Sequence, residues 1–166
     1  KGSNPELAKE WKRVDPNTWE FYLVDTATFH YGEKFNADAV LYSFERMQSD
    51  QFKKYNALFY ETPFQEVKKV DDYTVQIITS QPFNDLLWYL SRTFIVPPAY
   101  YAATAPEEVA IKPVGSGPFK FVEWVKDDHI TVVANEEYFQ GAPLVKNAMV
   151  RVIPEASQRV NELVTG

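Results

Sequence analysis

Cysteine is absent from the 166 residues. Disulfides, thiolate nucleophiles and cysteine-ligated zinc are thereby excluded, and the redox compartment stays open. Histidine is almost as scarce. His30 and His129 lie far apart in the chain and no HExxH pair exists, so a metal centre built on converging imidazoles has little to draw on. No run of about 20 apolar residues occurs, so no segment reads as a membrane-spanning helix. A secretory leader pattern is missing and the first residue is Lys1, which reads as a processed or excised piece. Clustered basic residues are missing too: the densest groups are Lys9, Lys12 and Arg13, then Lys53 and Lys54, and the net charge is −6. Phosphate-backbone recognition needs the opposite balance, so no nucleic-acid partner is expected.

Aromatic residues are what the chain has in excess, with 12 Phe, 10 Tyr and 4 Trp. Such side chains carry large apolar area with a polar tip, which suits cores and also pockets for sugars or peptides. The length suffices for one sizeable core, and the hydrophobic and charged fractions, 45% and 24%, are those of a globular chain.

Along the chain, TWEFYLV (18–24) alternates, with Trp19, Phe21 and Leu23 on one face and Glu20 and Tyr22 on the other. This pattern predicts a strand with one buried face. Asn36 is a good N-cap, Asp38 suits the first turn, and Phe35 and Val40 are spaced for a hydrophobic staple. Ala37, Val40, Phe44 and Met47 then recur at helical spacing. Residues 48–66 show no period and read as a long surface loop or a short irregular helix. VKKVDDYTVQIIT (67–79) is a hairpin with Asp71-Asp72 at its turn, and FNDLLWYLSR a short apolar helix. FIVPP extends, and residues 98–112 read as short helical pieces. GSGPF (115–119) leads into a second hairpin, AMVRVI (148–153) is a further strand, and Val160, Leu163 and Val164 mark a terminal amphipathic helix. Helices mixed with hairpins predict an α+β fold with a mixed sheet. A soft boundary falls around residues 95–115, where prolines are densest.

Candidate chemistry dissolves on inspection. His30 with Glu33 nearby is one histidine at the end of a strand, for which a structural role is expected. Ser116 lies in Gly-Ser-Gly, but GxSxG is absent, and Pro118 and a strand follow where a nucleophile elbow has a helix. Gly-Lys-Ser/Thr opening a helix is missing as well, so the run is no phosphate loop. Its glycines are expected to supply left-handed backbone in a tight crossing. The pairs Asp71-Asp72, Glu107-Glu108, Asp127-Asp128 and Glu136-Glu137 are sequence neighbours, whose side chains diverge in strands and turns. No catalytic set, metal site or cofactor site is predicted, and the chain is not expected to be an enzyme.

The motifs occur in an order that resembles the extracytoplasmic solute-binding proteins of ABC importers, the dipeptide/oligopeptide (family 5) group. PELAKEW (5–11) is similar to that family's P-x-L-A-x-S-W. TFHYGEKFNADAVLYSFERM (28–47) resembles F-H-D-G-x-P-F-T-A-x-D-V-x-x-S-F-x-R. VDDYTVQI (70–77), IVPPAYY (95–101), KPVGSGPFKFVEW (112–124), NEEYFQGAPLVKN (135–147) and RVIPEASQRVNELVTG (151–166) follow in turn. Departures occur at Val24-Asp25, where a basic residue usually ends the strand, at Tyr31, which replaces the Asp of F-H-D-G, and at Phe139, where Trp is common.

The resemblance implies part of the first lobe of a two-lobed binding protein, with 1–110 as its smaller subdomain and 111–166 as a truncated piece of its core. The parent would be periplasmic or membrane-anchored outside the cell, with no signal segment in this chain. It would bind a peptide, or nickel, haem or an oligosaccharide, by hinge closure and deliver it to a membrane permease. Tyr55, Phe59, Tyr60 and Arg92, aromatic and cationic residues in irregular stretches, are the candidate pocket walls. The fragment alone is expected to bind little and, with apolar surface uncovered, to self-associate. Two rivals stand beside this reading. A carbohydrate-binding module would show an exposed row of aromatics and is disfavoured by burial of Trp11, Trp19, Trp88 and Trp124. A hydrolase would need a converging Ser-His-acid set.

Overall fold

The computed structural model describes residues 5–52 and 61–165. Its strands sort into two separate sheets, each antiparallel throughout, where the sequence pattern points to a mixed sheet. In the first sheet two hairpins are joined through an antiparallel pairing of one strand from each, and the second sheet is built from pairs of sequence neighbours.

The first sheet contains β1 (Ala8–Asp15), β2 (Thr18–Leu23), β3 (Phe64–Asp71) and β4 (Thr74–Thr79), in the order β1-β2-β4-β3. The two central strands supply the core face: Phe21 and Leu23 from β2, Val75 and Ile77 from β4, all buried. Their alternation places polar residues on the other side, where Glu20 accepts from Tyr22 at 2.7 Å, Gln76 at 2.7 Å and Lys12 at 2.9 Å. Those three partners, Tyr22 foremost, hold the Glu20 carboxyl well below the usual carboxylate range. The β3–β4 turn is fixed locally, since the Asp71 side chain accepts from the Tyr73 amide at 2.8 Å. Strand β1 has no clear signature in the sequence. It is an edge strand rich in charge, and bulges between Ala8 and Glu10 and between Arg13 and Asp15 break its alternation.

Helix α1 (Ala37–Gln48) covers the core face. Asn36 caps it as its sequence predicts, its side-chain oxygen accepting from the Ala39 amide at 3.1 Å. Ala37, Ala39, Val40, Ser43 and Phe44 turn inward to join Phe29 and Phe35, each 1% exposed. Each of these phenylalanines contributes about 1.5–3 kcal/mol through burial. Ser43 ties the core to the extended segment beyond it. Its hydroxyl donates to the Ala39 carbonyl at 2.7 Å and accepts from the Val96 amide at 2.9 Å.

Three short helices follow: α2 (Leu86–Leu90), α3 (Pro98–Ala103) and α4 (Pro106–Ile111), the last two opened by proline at the first helical position. The second sheet then forms from β5 (Phe119–Val125), β6 (His129–Ala134) and β7 (Asn147–Arg151), in that order. The chain reaches its last described helix, α5 (Ala156–Thr165), none of whose residues is buried. The predicted apolar stripe is present, but Val160, Leu163 and Val164 face outward, at 60%, 85% and 79% exposure.

Candidate functional site

The stretch 28–34 makes a tight excursion between β2 and α1. Thr28 and Lys34 bridge across its base, the Phe29 amide donates to the Glu33 carbonyl at 2.8 Å, and Gly32 turns the tip at φ +84°. That left-handed backbone is open to glycine and strained for other residues. His30 projects from this excursion onto the Gly115-Ser116-Gly117 loop, which opens the second sheet. Its amide donates to the Gly115 carbonyl at 2.9 Å. Its ring takes two more contacts, from Nε2 to the Gly117 carbonyl at 3.1 Å and from the Gly115 amide to Nδ1 at 3.4 Å. One ring nitrogen donates and the other accepts, which defines the neutral Nε2–H tautomer. Burial pushes the imidazole pKa down, against the opposing pull of the Gly117 carbonyl, and the charge of Lys120 lowers it further.

The Gly117 carbonyl accepts a second bond, from Asn135 Nδ2 at 3.2 Å. Asn135 is 2% exposed, its amide donates to the Pro118 carbonyl at 2.8 Å, and its Oδ1 accepts from the Glu137 amide at 3.3 Å. The glycines of the loop do not play the part predicted for them. Positive φ among the described glycines occurs at Gly32 and Gly141, not at Gly115 or Gly117, and a Cβ at either loop position would meet open space. The loop is held by bonds to its backbone rather than by left-handed geometry.

A groove of about 750 Å³ lies alongside this joint. One wall is aromatic and aliphatic, with Phe119, Phe121 and Trp124 of β5 beside Ile130 and Val132 of β6. Ser91, Thr93, Phe94, Ile95 and Val96 line it too, together with Ser116 and His30. Large apolar walls with a few polar groups, backbone ones included, make a surface suited to a small amphipathic solute. A hydrolytic site does not form here. Both His30 ring nitrogens are engaged by the loop backbone, so none remains to take a proton from Ser116. Among the described residues no group of three His, Asp or Glu side chains is placed to hold a metal ion. No described helix is long and apolar enough to cross a membrane.

Residues 3–166 match the family model of the bacterial extracellular solute-binding proteins, family 5 Middle. The chain belongs to this family. Heme-binding protein A of Haemophilus influenzae is 30% identical over 98% of the chain, and the dipeptide-binding protein of Escherichia coli is 30% identical over 96%. Among solved structures, MoaA of A. tumefaciens R10 in complex with mannopinic acid superposes with a TM-score of 0.88 at 25% identity. DppA of Helicobacter pylori in complex with the peptide STSA gives 0.84 at 28%. Each of these structures covers 98% of the chain, which in turn covers 34% and 36% of them. The two curated relatives are likewise spanned to 34%, so the chain spans about a third of the length of the family 5 proteins it matches.

Within that third, the predicted pocket walls have separate fates. Tyr55, Phe59 and Tyr60 lie outside the described residues. Arg92 follows α2, between Ser91 and Thr93, which both line the groove. Its guanidinium lies 3.8 Å from the Trp88 ring and donates to the Trp88 carbonyl at 3.3 Å. Trp88 and Trp124 are 55% and 49% exposed, while Trp11 and Trp19 pack against the core. The two exposed indoles sit on different elements, and Arg92 stacks on one of them, so among the described residues the tryptophans do not form a row for stacking sugars. The groove residues of β5 and β6 escape sequence reasoning because FKFVEWV and ITVVAN read as ordinary strands. Only the absence of a matching apolar partner for their inward faces would have marked them.

Proposed function

We propose that this chain is part of the first lobe of a solute-binding protein that captures a peptide or similar small solute outside the cytoplasm and passes it to the permease of an ABC importer. The observation that carries this reading is the family match along residues 3–166, with the apolar groove beside the His30 joint as its structural counterpart. Segment 1–110 serves as the smaller subdomain and 111–166 as part of the lobe core. The parent protein works in the periplasm or at the outer face of a membrane. Binding and release, with no bond broken, is the whole of its chemistry. The named relatives bind heme, dipeptide, mannopinic acid and a short peptide, a range that fits roomy pockets better than a dedicated reactive centre.

Arg92, together with Tyr55, Phe59 and Tyr60, contributes to the pocket wall in this reading. Unliganded and alone, the chain also self-associates through the outward apolar residues of α5 and β7, among them Leu163, Val164 and Val150. Light scattering on a concentration series checks this, and a monomer throughout would end it.

The functional test is a tryptophan-fluorescence titration with di- to pentapeptides and then oligosaccharides. It is run on this chain and on a family-length protein that carries it. Saturation by peptides in the long protein, reduced by Arg92→Ala, supports the proposal. Saturation of the short chain by an oligosaccharide would replace it with a carbohydrate module.

A further inference from the structure

A second cavity, of about 250 Å³, opens on another side of the same joint. Tyr31 forms its rim, 78% exposed and tilted against Tyr100 with ring centroids 5.9 Å apart. Lys112, just beyond α4, and Lys120, on β5, both line it. The rest of the wall is apolar, with Pro113, Val114, Val122 and Val133. Lys120 and Val133 are direct cross-strand partners in the β5–β6 register, so both side chains stand on one face of the hairpin.

Of the lysines among the described residues four are ion-paired and five, Lys9, Lys34, Lys112, Lys120 and Lys126, are not, and two of those five line this one cavity. Net charge is −6, and Lys12, Lys68, Lys69 and Lys146 each hold a carboxylate within 2.9 Å. Among the described residues Lys112 and Lys120 form no ion pair, although Glu108 stands one turn before Lys112. Position 31, in the same cavity, is where the F-H-D-G pattern places an aspartate, and here it is Tyr31. The cavity lining therefore carries two ammonium groups and no carboxylate. His30, also on the lining, spends both ring nitrogens on the loop backbone, so neither is left to hold an anion.

We propose that this cavity binds a small organic anion, with its carboxylate between Lys112 and Lys120 and its apolar body against Val122, Val133 and the Tyr31 ring. Two cations with no internal counter-charge favour the anionic end. The aliphatic walls favour a short acyl or aryl body over an inorganic ion.

Amide and methyl chemical-shift titration of the isotope-labelled 166-residue chain with benzoate, butyrate and inorganic phosphate tests the site. The expected result is saturable movement of Tyr31, Lys120, Val122 and Val133 signals with benzoate and butyrate. Lys120→Gln should weaken binding about tenfold or more, as loss of a charge-assisted contact does. Tyr31→Asp, which adds a carboxylate to the lining at an exposed position outside the core, should abolish it while the amide spectrum elsewhere stays unchanged. Shifts that never saturate, or that survive both substitutions, would overturn the site. Saturation by phosphate with none by benzoate would overturn the ligand class. If Tyr31→Asp disturbs the fold, the half-exposed Lys120→Gln decides alone.

Discussion

His30 is the residue whose removal tests most of the structural argument. Its ring contributes two hydrogen bonds across the joint, at 3.1 Å and 3.4 Å. Each is worth about 0.5–1.5 kcal/mol, with the longer one at the low end, so His30→Ala should cost about 1–2 kcal/mol. With a urea slope near 2 kcal/mol per molar for a chain of this size, the midpoint drops by somewhat under about 1 M. Acid should produce a related effect without mutation. Burial and the Lys120 charge lower the folded-state pKa of His30 below its ordinary 6.5. Near that value the folded chain therefore binds fewer protons than the unfolded one, and stability rises with pH. The His30 contribution is complete above about pH 6.5 and is lost as pH falls through the folded-state value, where a protonated Nδ1 would face the Gly115 amide donor to donor. His129 acts in the opposite sense. Its hydrogen bonds to Asp128, then Glu123, raise its pKa, so its contribution is complete below the ordinary value and fades as pH rises through the folded-state one. Urea titrations from about pH 5 to pH 8 are therefore best made in His129→Gln, with and without His30→Gln. Identical pH profiles in the two backgrounds, or a His30→Ala variant as stable as its parent, would refute the joint.

Three further outcomes follow from the same structure. Ser43→Ala leaves the part-buried Val96 amide without its 2.9 Å acceptor, and should cost about 1–2 kcal/mol by urea denaturation. Asn36→Ala removes the α1 cap and should cost about 1 kcal/mol, most of it recovered in Asn36→Asp. Gly32→Ala, at φ +84°, should lower the melting temperature through about 1–2 kcal/mol of strain, whereas Gly117→Ala, with open space for its Cβ, should be close to neutral.

How far the sequence could be read depended on how far apart the cooperating groups lie. Helix α1 and its cap were legible because Asn36, Asp38 and the Val40–Phe44 stripe act within a few turns of one another. Both hairpins were legible through alternation and their Asp-rich turns. Strand β1 was not, since its charge and two bulges hide the alternation, and its pairing is set by β2. The terminal stripe of α5 was read correctly as amphipathic, but amphipathicity says only that a helix has a face to bury, not that its partner is at hand. The joint was half legible. His30 could be recognised as structural from its place at a strand end, but its partners lie 85 and 87 residues away. The adjacent glycines suggested positive φ, a property of residue type, when the loop in fact offers carbonyl and amide groups that any residue would carry. Arg92 was singled out for its type and setting, and nothing in its sequence environment foretold the stacking on Trp88.

The double acceptance at the Gly117 carbonyl bears on how such a seam can evolve. His30 reaches this oxygen from the excursion between β2 and α1, and Asn135 reaches it from just past the end of β6 in the second sheet. The meeting point is a main-chain atom, so no substitution at 117 can delete it, and only proline or a shift of the backbone can move it. Change is confined to the two donors. Either can be lost while the other still anchors the oxygen, so the seam weakens in steps rather than failing at once, and drift at one donor can be tolerated until the other is restored.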